Sequence, residues 1–168
     1  MRKTLKFLIA ICCVMLLNSC ASLQPVIVTH HTPLNDYRYV YITPTVSLTS
    51  GTGSVYGGNY RVYGSSVSKS VNPSDIIAGY MMKKGYIQIS EIKPELASQT
   101  LIVNYGETGR RYIWGGLLGY TIEVTLQFLS AQTHEVVCTS TAEGIGSTEA
   151  DDIRIAINRA LDEVFSLK

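Results

Sequence analysis

The chain has 168 residues, with 14 Lys and Arg against 13 Asp and Glu and 46% hydrophobic residues, which is enough for one ordinary domain with a real core. Three of the basic residues, Arg2, Lys3 and Lys6, stand at the extreme N-terminus, so the remainder is mildly acidic, with 11 basic residues against 13 acidic ones. That balance excludes the basic excess that would attract nucleic acid.

The N-terminus reads as an export signal. The positive start is followed by an apolar run from Phe7 to Leu17 and then by small residues at Ser19, Cys20 and Ala21, the three-part anatomy of a secretory leader. The run falls well short of the ~20 residues needed to span a bilayer as a helix. Leu17-Asn18-Ser19-Cys20 resembles the lipobox of bacterial lipoproteins, which implies removal of residues 1–19 and a diacylglyceryl thioether on Cys20. Ser19-Cys20-Ala21 also satisfies the small-x-small rule of ordinary secretion, which would discard the cysteine. On the lipoprotein reading, two or three acyl chains on one residue anchor the protein to a membrane without spanning it. Ala21 and Ser22, with no Asp beside the cysteine, resemble an outer-membrane sorting signal, with the domain facing the periplasm.

Cys12 and Cys13 leave with the leader and Cys20 is consumed, so Cys138 is the sole remaining thiol and no intramolecular disulfide forms. In Glu135–Glu143 it alternates with Val136, Ser140 and Ala142 and opposite the glutamates, the pattern of a small buried hydrophobe rather than a nucleophile.

Residues 20–36, with Pro25, Pro33, His30 and His31 and no sustained period, read as the lipidated N-terminus and a tether. With only His134 elsewhere, the paired histidines do not make a metal site. The single domain is then 37–168. Tyr37–Thr43 is a first strand, ended by Pro44. Residues 47–70 are half Gly and Ser, interleaved with Val55, Tyr56, Tyr60, Val62 and Tyr63. They form either a hairpin turning at Gly57-Gly58-Asn59 or a mobile loop with surface tyrosines.

Asn72-Pro73-Ser74-Asp75 opens a helix with an amide cap, a proline at the first helical position and an early carboxylate. Ile76, Ile77, Tyr80 and Met81 share one face and Gly85 ends it. Strands follow at Tyr86–Ser90, Thr100–Gly106, Tyr120–Phe128 and Glu135–Glu143, the third alternating strictly between apolar and polar residues. Ser147 to Asp152 caps a last helix, whose Ile153, Ala156, Ile157, Ala160, Leu161, Val164 and Phe165 recur at steps of three and four. A strand, helix and strand in succession raise the prospect of a parallel crossover. The predicted class is α+β: a two-layer sandwich of a mixed four- or five-stranded sheet with two helices on one face.

The best functional candidate is the link from Gly106 to Gly119, which combines Arg110 and Arg111 with Trp114, Leu117 and Leu118. One reading is an apolar tip, flanked by the arginines, offered to a protein partner or to lipid headgroups. The other is an extended hairpin whose Trp114 folds back on the core while exposed arginines keep it soluble. Gly144-Ile145-Gly146-Ser147 is better read as a sharp strand-to-helix turn than as an anion loop, because Glu149, Asp151 and Asp152 would repel an anion. His134 reads as a solvated turn residue. No catalytic set, cofactor motif or metal spacing is present in the linear sequence.

The lipobox, Tyr37–Thr43, Lys83-Lys84-Gly85-Tyr86, Val136-Val137-Cys138 and Glu149-Ala150-Asp151-Asp152-Ile153 resemble uncharacterised envelope lipoproteins built on a domain of unknown function. Several of those carry an aromatic residue in place of Cys138, and the insert at 47–70 is outside the shared pattern. The resemblance implies an envelope address and a small α+β fold more than an activity; the leading expectation for function is a membrane-anchored, non-enzymatic accessory or scaffold that binds an envelope protein partner. The alternative is a small-ligand receptor or an enzyme with a site assembled from dispersed residues.

Overall fold

A computed structural model describes residues 23–58, 61–116 and 119–166, with the backbone alone described at 52–58, 61–67 and 114. Cys20 and the leader lie outside the described residues.

The architecture is α+β, as the alternating and helical periods require. The strands are β1 (Ile27–His30), β2 (Tyr39–Ile42), β3 (Leu48–Gly58), β4 (Arg61–Val71), β5 (Ile87–Gln88), β6 (Thr100–Tyr112), β7 (Tyr120–Ser130) and β8 (Val136–Gly144), with helices α1 (Pro73–Lys83) and α2 (Glu149–Ser166). Six strands form one mixed sheet in the order β1-β8-β7-β6-β2-β5, and β3-β4 is a separate two-stranded ribbon. The sheet therefore exceeds the four or five strands predicted. The added strand is β1, in the stretch read from sequence as tether. Residues 27–30 pair antiparallel with Thr141–Cys138, and Leu34 is buried beyond them. Four residues are too few for a period to register, and here the sheet edge, rather than local pattern, supplies the hydrogen bonds that make a strand. The predicted crossover is present, since β2 is parallel to both β5 and β6.

The alternation of β7 defines the two faces. Ile122, Val124, Leu126 and Phe128 are fully buried and look toward the helices, joined by Leu101 and Val103 of β6 and Val40 of β2. Helix α1 starts as its cap predicts, with the Asn72 side chain accepting from the Ser74 amide. It buries Ile77 and Met81 and partly buries Ile76 and Tyr80. Gly85 follows at φ +93°, a conformation that L side chains resist. Helix α2 lays Ile153, Ala156, Ile157, Ala160, Leu161 and Val164 on the core, while Phe165 is partly buried and packs 5.9 Å from the rings of both Tyr80 and Tyr86. The opposite sheet face is polar, with Thr125 and Thr141 2.8 Å apart and Thr43 donating to Asn104 at 2.6 Å.

Gly144 sets how closely α2 can approach. A Cβ there would overlap the Asp152 carbonyl and stand 2.8 Å from the Ala156 nitrogen, so only glycine lets the end of β8 lie against the helix backbone. The Gly146 amide donates to Asp152 and the Asp151 amide to the Thr148 hydroxyl. The Gly146 donor is thus engaged in turning the chain into α2, as expected of a strand-to-helix turn.

Candidate functional site

β6 and β7 continue past β2, whose last partner is Val103, as far as the Tyr112–Tyr120 pair. The link at 106–119 is therefore the far half of an extended hairpin. Its tip is a short 3-10 turn at Ile113–Gly116, closed by the Ile113 amide donating to the Gly119 carbonyl at 3.0 Å. Ile113 is buried there, outside the main core cluster. Of the candidates named from sequence, Leu117 and Leu118 lie outside the described residues, and only the backbone of Trp114 is described.

The two arginines are not free charges on a tip. A register shift between Glu107 and Gly109 inserts one residue and reverses which face the following side chains meet. Arg110 consequently lies opposite Ile122 and Arg111 opposite Thr121, on the two faces of the sheet. Arg110 pairs with Glu149 at the start of α2 and sits 5.0 Å over the ring of Tyr120. Tyr120 in turn meets Tyr112 edge-on at 6.3 Å. On the other face Arg111 holds Glu143 of β8 through both forks, Nε to Oε1 at 2.7 Å and Nη2 to Oε2 at 2.6 Å.

Glu143 is the centre of a wider knot. It is 4% exposed and also accepts from the Thr121 hydroxyl at 3.3 Å and from the Gln24 amide at 2.9 Å. Arg159 of α2 donates to the Glu143 carbonyl and, at 2.8 Å, to the Gln24 carbonyl. The hydrogen bonds from Arg111 hold this carboxyl at about 2, well below the usual range, against the opposing effect of burial. The knot thus joins the N-terminal segment, β6, β7, β8 and α2 through charge-assisted bonds, which are the strong class. Sequence reading missed Glu143, Gln24 and Arg159. Glu143 falls on the wet side of the β8 alternation, and its partners are 32 and 119 residues away, so no local signal exposes it.

Cys138 is fully buried, as its alternation predicted, and burial pushes its thiol up to about 11. The structure does bring a histidine to it, which the sequence did not foresee. His30 stands opposite in the β1–β8 register, with Nε2 4.0 Å from Sγ. A protonated, desolvated thiol remains a poor nucleophile. Among the described residues no group of three His, Cys, Asp or Glu is placed to hold a metal. At the opposite end of the sheet a polar cleft of about 560 Å³ is lined by His31, Tyr37, Ser98, Gln132 and Glu135 among others.

The fold and site together define an α+β domain with a braced hairpin end. No family model matches the chain, and no curated protein is similar to it. Among solved structures it is similar to a point variant of the PelC dodecamer from Paraburkholderia phytofirmans, at 15% identity and a TM-score of 0.50, over 83% of this chain and 95% of that one. A second PelC dodecamer from the same organism aligns at 16% identity and a TM-score of 0.47, over 83% and 96%. At this identity the likeness is one of fold.

Proposed function

We propose that the chain is a lipoprotein anchored through Cys20 to the bacterial outer membrane, facing the periplasm. In this reading it is a non-enzymatic scaffold that assembles in several copies and binds an envelope partner. The observation that carries the scaffold reading is the bracing of the hairpin end. Arg110 and Arg111 are committed to Glu149 and Glu143, and a site whose charges are consumed by the fold offers shape and surface rather than reactive groups. The dodecameric state named for the PelC structures supports assembly from several copies. The leader and lipobox-like Leu17-Asn18-Ser19-Cys20 support the anchor.

Intact mass of the protein extracted from membranes tests the anchor: an acylated chain beginning at Cys20 is expected, and an unmodified N-terminus sinks it. Native mass spectrometry of the same material tests assembly, which a strictly monomeric species would refute. Cross-linking in intact cells tests for the partner, and the absence of any recurrent envelope protein would count against scaffolding. The polar cleft near His31 favours a second reading, a small-ligand receptor. Its few apolar walls depart from the usual ligand pocket, and this places it behind the scaffold.

A further inference from the structure

The segment read as a tether is not one over its second half. β1 runs antiparallel to β8, so tracing the chain back from Ile27 leads toward the C-terminal end of β8. There Gln24 is held on both sides, its amide by Glu143 and its carbonyl by Arg159. Gln24 stands four steps along the chain from Cys20, and a fully extended chain of that length spans at most about 14 Å. The clamp sits at the same end of the sheet as the hairpin tip, since Arg111, which grips Glu143, immediately precedes Tyr112. The opposite end, at the β7–β8 turn, lies a strand of 11 residues away, roughly 35 Å.

We propose that the hairpin end, presenting Tyr112, rests on the lipid surface in which Cys20 is anchored, held there by the short leash from Gln24. This rests on the lipoprotein reading above. Lipid is the occupant that the leash length selects, because a bilayer holding the acyl chains of Cys20 cannot be more than a few residues from this end. The chemistry of the end agrees. Tyr112 is 66% exposed, and tyrosine, with an apolar ring and a polar tip, is enriched at membrane–water interfaces. From Thr108 to Ile122 the chain carries no acidic residue, and its two arginines are neutralised by Glu143 and Glu149. That leaves little charge to desolvate against headgroups.

The test uses the acylated full-length protein in phosphatidylethanolamine–phosphatidylglycerol vesicles, with a nitroxide placed at Tyr112→Cys or at Gln132→Cys. Acylation consumes Cys20 and Cys138 is buried, so each label is specific. Gln132 is exposed in the β7–β8 turn. The label at 112 is expected to collide preferentially with oxygen over a water-soluble nickel chelate, and the label at 132 to behave as in water. Equal, water-like behaviour of both in an acylated protein that floats with the vesicles overturns the orientation while leaving the anchor intact. A label at 112 shielded from both collision partners also overturns it, because a second copy or another protein then covers the tip. A chain found unacylated and left behind in flotation overturns the anchor and the orientation together. Inserting a flexible Gly–Ser segment of about twelve residues between Ser22 and Leu23 lengthens the leash severalfold. It is expected to abolish the oxygen preference at 112 without loss of flotation. Persistence of that preference would show that the leash does not set the orientation.

Discussion

Two hairpins of similar length dominate the outline of this molecule and are held by different physics. β3 and β4 pair over 11 residues each, outside the main sheet. β6 and β7, of 13 and 11 residues, share their sheet with β8 and β2. Among the described side chains, the first is anchored near its base: Ser50 accepts from the Ala150 amide at 2.8 Å, Lys69 pairs with Asp151 at 2.6 Å, and Val71 is buried. The second carries fully buried Leu101, Val103, Leu126 and Phe128 along its inner half and ion-paired arginines along its outer half. A two-stranded ribbon is marginal in water, whereas a hairpin continuous with a packed sheet takes its order from the core. The difference teaches that hairpin length says little about rigidity, and that what lies against the strands decides it.

The comparison can be broken or sharpened by substitution. Phe128→Ala in β7 should be the most damaging change, lowering stability by about 3–5 kcal/mol through lost burial and a cavity, read by denaturant unfolding. A cost under about 1 kcal/mol would mean that the inner half of the hairpin is not core. Glu143→Gln should follow at about 2 kcal/mol, because it strips the bidentate acceptor from Arg111 and weakens the hold on Gln24.

The same variant tests the sign of a pH effect. The carboxyl of Glu143 is held at about 2 in the fold, so the unfolded chain binds its proton first as pH falls. Its contribution is then complete above the ordinary glutamate range near pH 4–5 and is lost as pH falls toward about 2. Asp151, lowered to about 2 chiefly by Lys69, acts in the same direction. Asp152, raised by burial, acts in the opposite one. The loss of stability between about pH 5 and 2 should therefore be shallower in Glu143→Gln than in the parent, and parallel curves would refute the role given to Arg111.

Ser50→Ala should cost only about 0.5–1 kcal/mol, since it removes one acceptor from the first turn of α2. It should nonetheless increase proteolytic cutting between 52 and 67 by loosening the ribbon at its base. Replacing 52–67 with a short Gly–Ser turn should change stability least, by less than about 1 kcal/mol, because loop-closure entropy varies slowly with length. A large loss there would show that the ribbon supports the domain.

The sequence made much of the inner architecture legible. The strict alternation of Tyr120–Phe128, the three- and four-residue steps of α2 and the Asn72-Pro73 start of α1 each encode a local period or cap that survives into the fold. The ribbon stood as one of two open alternatives, because Gly and Ser have low strand propensity and only cross-strand pairing decides them. The candidate link at 106–119 was found from its composition, but its state was not. Arg110 and Arg111 look alike in sequence, and the inserted residue between Glu107 and Gly109 sends them to opposite faces and different carboxylates. Val136, placed with Cys138 on the buried side, is 38% exposed because the register shifts where β8 leaves Leu129.

By itself, then, the sequence determined the α+β class, the faces of its helices and central strands, and the burial of Cys138, because these follow from the spacing of side chains along one element. Only the tertiary structure decided that Ile27–His30 is a sheet edge, that Gln24 is clamped beside Glu143 and that both arginines are paired. Those facts depend on groups up to 135 residues apart, and chain spacing carries no record of contacts at that range.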